Sequence, residues 1–293
     1  MPAPERPTPS QASAPLSANE ARWQFVAALR AAGLEPVKEL ALVDGVLERF
    51  RPGGDKAGSR NAWCVFHGGD MPAGAFGSWR TGATHWWRAE APAGADPAQR
   101  AAHREQLQDL RRVRDAEQQR VRAAAAEKAA RLWRLARPAS EAHAYAARKR
   151  IRPYGVRQLR DMLVVPVRDV HGTLHSLQFI GADGAKRFLT GGRIAGCYCG
   201  IGKPQGKLLL GEGLATCCTL FEATGLAVAV CFHAGTLEPV ACALRGKFPR
   251  LRLVVCADND QATPGNPGVT HARAAACAVG GYLAVPDFSA VPS

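Results

Sequence analysis

Four short apolar runs punctuate the last third of the chain: Leu208-Leu209-Leu210-Gly211, Ala227-Val228-Ala229-Val230-Cys231-Phe232, Leu253-Val254-Val255-Cys256-Ala257 and Tyr282-Leu283-Ala284-Val285-Pro286. Each is continuously apolar and too short for a helix, which is the mark of a strand buried on both faces. Between them lie segments with helical spacing: 214–224, stopped by Gly225, then 236–248, then the alanine-rich 270–279. The predicted order β-α-β-α-β-α-β implies a parallel sheet with helices on both faces. Upstream the pattern changes. Leu163-Val164-Val165-Pro166-Val167 and Ser176-Leu177-Gln178-Phe179-Ile180 read as short strands, with turns at Asp169-Val170-His171-Gly172 and Ala182-Asp183-Gly184. Residues 98–137 are charged, rich in alanine and free of proline, so one or two helices are expected, with an apolar contact at Leu132 and Trp133. Nearer the N-terminus, a helical start at 23–30 precedes strands around 48–50, 62–67 and 74–79, and residues 1–18, rich in Pro, Ala and Ser, read as disordered.

The strand ends carry the chemistry. The first buried run is followed by Glu212-Gly213, and the third ends in Asp258-Asn259-Asp260. In a parallel sheet built from βαβ units, strand ends of one polarity share an edge, so these three carboxylates are expected to converge. Converging carboxylates repel one another unless a cation lies between them. Oxygen-only ligands favour Mg²⁺ or Mn²⁺, ions that typically act on phosphates.

Residues 207–287 resemble a Toprim domain, the catalytic fold shared by bacterial-type primases, topoisomerases and some nucleases. Glu212-Gly213 ends the first strand, Ala234-Gly235-Thr236 stands at the small-residue turn after the second, and Asp258-Asn259-Asp260 ends the third. The stretch 143–189 resembles the basic subdomain that precedes Toprim in primases, most closely the plasmid and phage versions, and a topoisomerase or Toprim nuclease would lack it. The fold so implied is α/β: a Rossmann-like parallel sheet with flanking helices, behind a small basic α+β subdomain. The resemblance implies Glu212, Asp258 and Asp260 as catalytic acids and metal ligands. It implies Lys186 and Arg187, then Arg148 and Lys149, as contacts to nucleotide or template. Gly213 and Gly235 would let backbone approach the metal and phosphates.

Cys64-Val65-Phe66-His67, with Pro72 and Phe76 beyond, resembles half of the zinc-binding module of bacterial primases. No Cys-x-x-Cys follows, and two ligands do not complete a tetrahedral site, so the expectation is a zinc-ribbon-like region that binds no zinc. Its aromatics, interleaved with Arg51, Lys56, Arg60, Arg80 and Arg88, suit single-stranded DNA. Most are expected to form core, leaving Trp79, Arg80 and His85 as candidate surface contacts. The expected organisation is a tail at 1–18, the zinc-less region at 19–89, a charged helical connector at 90–138, the basic subdomain at 139–206, the Toprim domain at 207–288 and a tail at 289–293.

The net charge of +13 over 293 residues fits a partner built on phosphates. Nine cysteines, an odd number without a secretory signal, point to a reducing cytoplasm, and Cys197-Tyr198-Cys199 lacks the second pair of a zinc ribbon. No apolar stretch is long enough to span a bilayer. The function expected is metal-dependent synthesis of RNA primers from NTPs on a single-stranded DNA template, for a mobile element. With no Walker loop in the sequence, a replicative helicase is expected from a separate chain or from a longer ancestor of this one. A Toprim nuclease and a non-catalytic single-stranded-DNA-binding remnant of a primase-helicase remain as alternatives.

Overall fold

The computed structural model describes residues 16–69, 71–89, 97–261 and 263–287. The expectations for 1–15, 90–96 and 288–293 lie outside those residues. The chain forms two compact units, Met1–Arg120 and Val121–Ser293.

In the first unit, helix α1 (Ala18–Ala31) opens with Ser17 and Glu20 capping one another. The chain thus enters helix at the very end of the segment expected to be disordered. Strands β1 (Glu48–Phe50), β2 (Ala62–His67), β3 (Ala73–Ser78) and β4 (Thr84–Arg88) follow as an antiparallel sheet in sequential order. The fourth strand was not evident from the sequence, because Thr84-His85-Trp86-Trp87-Arg88 has a polar residue at each end of its aromatic pair. Side-chain alternation splits the aromatic content between two faces. Cys64, Phe66 and Phe76 pack with Phe25 and Leu29 of α1, whereas Trp63, Val65 and Ala75 pack with Leu110. Gly74 matters here: a Cβ at that position would lie 2.4 Å from the Phe25 ring. Leu110 belongs to α2 (Pro97–Leu135), a single helix where one or two were expected.

In the second unit, β5 (Arg137–Pro138), α3 (Ala144–Lys149), β6 (Arg157–Leu159), β7 (Met162–Arg168), β8 (Leu174–Ile180) and β9 (Lys186–Phe188) build an antiparallel sheet in the order β5-β6-β7-β8-β9. Val164 and Leu177 on one face meet Ala129, Leu132 and Trp133, the contact that the sequence placed near the end of the connector. Leu163, Val165 and Val167 on the other face join the core of the next sheet.

That sheet holds β10 (Cys199–Ile201), β11 (Lys207–Gly211), β12 (Val228–Val230), β13 (Arg252–Cys256) and β14 (Tyr282–Ala284), in the order β10-β12-β11-β13-β14. The last four strands by sequence run parallel, and β10 adds an antiparallel edge that the sequence did not announce. Helix α4 (Leu214–Thr224) covers one face, and α5 (Leu237–Lys247) with α6 (Pro267–Ala278) covers the other. Leu210, Leu237, Leu244, Leu253 and Val255 are fully buried there, each worth roughly 1.5–3 kcal/mol relative to exposure. From β11 the chain crosses to β12 on one side and returns to β13 on the other, so β11 and β13 are neighbours with their carboxyl ends on one edge. Ligands gather at such switch points.

Candidate functional site

The acids stand on that edge. Register pairs Leu210 with Val255, so Glu212 and Asp258, each two or three residues beyond, leave adjacent strands together. Glu212 is partly buried and its Oε1 has no hydrogen-bond partner. Burial first, then the charges of Asp258 and Asp260, push its pKa up to about 7, while the Ala234 backbone N–H and Lys186 act the other way. Asp258 is raised as well, by burial and then by Asp260, with Lys186 opposing. The three carboxylates therefore sense one another, and the cation among them is Lys186.

What holds the second acidic pair in place was not legible as chemistry. Asn266, at φ +39°, caps α6. Its side-chain oxygen accepts from the backbone N–H of Asp260 at 3.1 Å and of Val269 at 3.4 Å, and its amide donates to Asn259 at 2.8 Å. Asn259 in turn donates to the Pro286 carbonyl at 3.0 Å. One asparagine thus ties the Asp258–Asp260 loop to a helix start, and the signal was Asn266 directly before Pro267, the N-cap and N1 residues of a helix. Gly268 was also missed. A Cβ there would fall 2.2 Å from the Asp258 carbonyl oxygen and 3.3 Å from Glu212 Oε1, so only glycine lets α6 begin against the acids.

The expected close-approach glycines have a different character. A Cβ on Gly213 would come no nearer than 3.7 Å to anything, and its first neighbour would be Lys186 Nζ. On Gly235 it would meet only the His233 ring at 3.5 Å. Within the protein neither position is crowded; Gly213 serves as N-cap of α4 and Gly235 lies in the 3-10 turn Ala234–Thr236.

The basic residues separate. In β9, alternation places Lys186 on the face that carries Phe188, whose ring meets Phe232 at 5.6 Å and His233 at 6.4 Å, beside the acids. Arg187 points the other way, over Phe179 and toward Met162. Arg148 is held by the Ala182 carbonyl at 2.8 Å and lies over Tyr145, and Lys149 is exposed. Only Lys186 of the four is brought to the acids.

In the first unit, Trp79 is partly buried, stacked on Trp63 at 5.3 Å and packed against the cluster of Trp63, Val65 and Leu110. Arg80 is exposed, 3.4 Å from Asp55, and His85 is exposed and stacked on Phe76. On the sheet, Trp86 is open, 44% exposed, with the guanidinium groups of Arg111 and Arg114 at 5.5 and 5.7 Å from its ring, and Trp23 on α1 is 75% exposed. Cys64 is buried with its thiol pushed up to about 12 by burial, and His67 faces Asp44 at 3.5 Å.

Among the described residues, no three His, Cys, Asp or Glu side chains form a ready-made metal cage. That geometry still suits Mg²⁺, which keeps several waters and takes one or two carboxylates plus substrate phosphates. The orphaned Glu212 oxygen and the raised pKa values of Glu212 and Asp258 are the marks of a site short of positive charge. The donor set fits a hydrated divalent ion.

No family model matches the chain. The chain is 34% identical over 280 residues to DNA primase TraC of Escherichia coli, and 31% identical over 284 residues to a second DNA primase TraC of Escherichia coli. These alignments take in 91% and 92% of this chain but 26% and 20% of the relatives, so the chain spans about a quarter of their length. Among solved structures, the primase fragment of the bacteriophage T7 primase-helicase protein overlaps 52% of this chain and 64% of its own, at 14% identity and a TM-score of 0.36, a likeness too slight to carry an argument. The resemblance to primases read from the sequence is met again as similarity, over nearly the whole chain, to a segment of DNA primase TraC.

Proposed function

We propose that the chain is a DNA primase whose parallel sheet is a Toprim-type nucleotidyl-transfer centre, joining ribonucleoside triphosphates into short primers on single-stranded DNA. The observation that carries this reading is the partnerless Glu212 oxygen set against Asp258 and Asp260 on adjacent strand ends, with Lys186 as the opposing cation. The name carried by the two relatives supports the same activity.

In the reaction, a 3′-oxygen bonds to the α-phosphorus of the incoming nucleotide as the bond to the bridging oxygen breaks, and pyrophosphate leaves with the electron pair. Asp258 and Asp260 would hold Mg²⁺ or Mn²⁺, with Glu212 beside them. When bound, such an ion lowers the pKa of the attacking hydroxyl and offsets the charge of the pyrophosphate. Glu212, its pKa near neutrality, is suited to take up the hydroxyl proton. Lys186 supplies fixed positive charge for the triphosphate. Gly268 and Asn266 keep the acids where they are needed. The exposed aromatic and basic residues of the first unit would receive the template.

The test is incubation of the protein with single-stranded DNA, Mg²⁺ or Mn²⁺ and labelled NTPs. Short templated RNA products are expected. Shortened DNA without synthesis would mark a Toprim nuclease instead, and binding alone a non-catalytic remnant.

A further inference from the structure

A turn and a helix beside the acid site each carry a histidine that the reaction scheme leaves unused. His233 lies between the end of β12 and the 3-10 turn Ala234–Thr236, and His271 lies one turn into α6, three residues beyond Gly268. Each is anchored to the acids through its own element. The turn after His233 presents the Ala234 N–H toward Glu212, and α6 begins against Asp258 and Glu212.

The backbone is bent to bring His233 to this rim. Phe232 has φ +77°, a left-handed conformation that a bulky aromatic residue rarely adopts and that is held only when its surroundings impose it. The bend tucks the Phe232 ring edge-on against Phe188 and leaves His233 at the surface, its own ring edge-on to Phe188 at 6.4 Å. Phe188 shares its face of β9 with Lys186. Thr236 locks the bend, its hydroxyl bonding the carbonyls of Cys231 and, at 2.7 Å, His233, while its N–H donates to the His233 carbonyl at 3.0 Å.

The two imidazoles are close enough for the charge of His271 to disfavour protonation of His233, and partial burial acts in the same direction. Neither ring has a hydrogen-bond partner among the described residues. The turn and the helix start that carry them border the edge that holds Glu212, Asp258 and Asp260, with Lys186 on β9 acting on those acids. Two unpartnered imidazoles on the rim, above a floor of acids that would hold a cation, offer N–H donors at a distance from the carboxylates. Such donors match the terminal phosphates of a nucleotide whose inner phosphates face the cation, because an imidazole N–H donates a hydrogen bond to a phosphate oxygen.

We propose that His233 and His271 together bind the β- and γ-phosphates of the incoming nucleotide, and so also the pyrophosphate it releases. This rests on the nucleotidyl-transfer reading of the acids. The pair are positioning residues: they hold the leaving group and take no part in bond making.

The test uses the full chain with His233→Ala, His271→Ala and the donor-retaining His233→Gln and His271→Gln. In templated synthesis, each alanine variant should raise the nucleotide KM about tenfold or more, the factor a hydrogen bond to a charged group is worth, with a much smaller change in kcat. Inhibition by added pyrophosphate should weaken by a similar factor, and the glutamine variants should recover part of both losses. Unchanged KM and unchanged pyrophosphate inhibition, or a loss confined to kcat, would overturn the proposal. Titration of the chain with ATP and Mg²⁺ by calorimetry separates this from failure of the catalytic reading. Binding that the alanine variants weaken would sustain the phosphate site even in a chain that makes no primers; equal binding by wild type and alanine variants, or none by wild type, would refute it.

Discussion

The molecule contains two sets of residues of metal-ligand type, and they differ in what surrounds them. Cys64 and His67 sit on β2 of the antiparallel sheet. The thiol is buried among Phe25, Phe66 and Phe76, its pKa pushed up to about 12, and the imidazole is turned to Asp44. Glu212, Asp258 and Asp260 sit at the open edge of the parallel sheet, where a carboxylate oxygen has no partner and neighbouring charges repel. The Cys64 thiol has been absorbed into a core, while His67 Nε2 is buried without a hydrogen-bond partner, as Glu212 Oε1 is, but with no second like charge beside it. The second remains unsatisfied in a way that a cation and a phosphate would relieve. Residue type in a sequence marks a candidate; the environment decides whether it is used.

The largest effect that would break this contrast lies in the acids. Asp258→Ala and Asp260→Ala should each lower primer synthesis by about 1,000-fold or more, in line with loss of a charge aimed at the transition state. Neither should lower the melting temperature, since removing one of several repelling carboxylates relieves strain in the metal-free chain. Primer-extension gels paired with thermal melting read both. Synthesis retained in either variant would remove the acids from the mechanism.

Next comes the scaffold of that edge. Gly268→Ala must push Asp258 or α6 aside, because its Cβ would stand 2.2 Å from the Asp258 carbonyl. We expect a stability loss of about 1–3 kcal/mol and a marked fall in synthesis. Gly235→Ala, whose Cβ would have 3.5 Å of room, should leave the melting temperature nearly unchanged. Denaturant titration of the pair tests whether the tight approach belongs to Gly268 alone.

The parallel sheet was readable because its buried strands are continuous apolar runs and its acids lie at their ends, and both signals are local. Lys186 and Arg187 could not be told apart, since only the pairing of β9 with β8 decides which of two adjacent residues faces the acids. Strand β10 and the bend at Phe232 left no mark in the sequence: three residues of edge strand have no period to detect, and a left-handed phenylalanine is imposed by its tertiary neighbours. Trp79 and Trp86 could not be ranked for the same reason. Which tryptophan is stacked in the core depends on the register of β3 and β4 against β2, and residues 84–88 did not declare themselves a strand.

A smaller effect concerns pH. Glu212 has its pKa raised from an ordinary carboxylate value to about 7, so ionising it in the folded chain costs free energy that the unfolded chain does not incur. Stability from this group is therefore greatest below about pH 4.5 and is lost as pH rises toward and through 7. Glu212→Gln should stabilise the metal-free protein at pH 8, by on the order of 1–2 kcal/mol after screening by solvent at this half-open site, and by much less at pH 5. Melting curves at the two pH values, with EDTA present, check it. An equal shift at both would show that the carboxylate is not strained by its neighbours.

The smallest effect belongs to the first unit, and it sharpens the contrast from the other side. Trp86 is open to solvent between Arg111 and Arg114, whereas Trp79 is stacked on Trp63 within the core. If this unit receives the template, Trp86→Ala should weaken binding of a single-stranded oligonucleotide by about 1 kcal/mol, roughly fivefold, because one stacked base is lost. The slope of log K against log salt should stay the same, since no phosphate contact is removed. Arg111→Ala should instead make that slope shallower. Trp79→Ala should lower the melting temperature with no specific effect on the slope, as expected of a core aromatic. Binding titrations across a salt series, run beside thermal melting, separate these outcomes. Unaltered affinity in Trp86→Ala, with Arg111→Ala also at the wild-type slope, would show that this face of the sheet does not receive the template and that its exposed indole is held by the two arginines for packing alone.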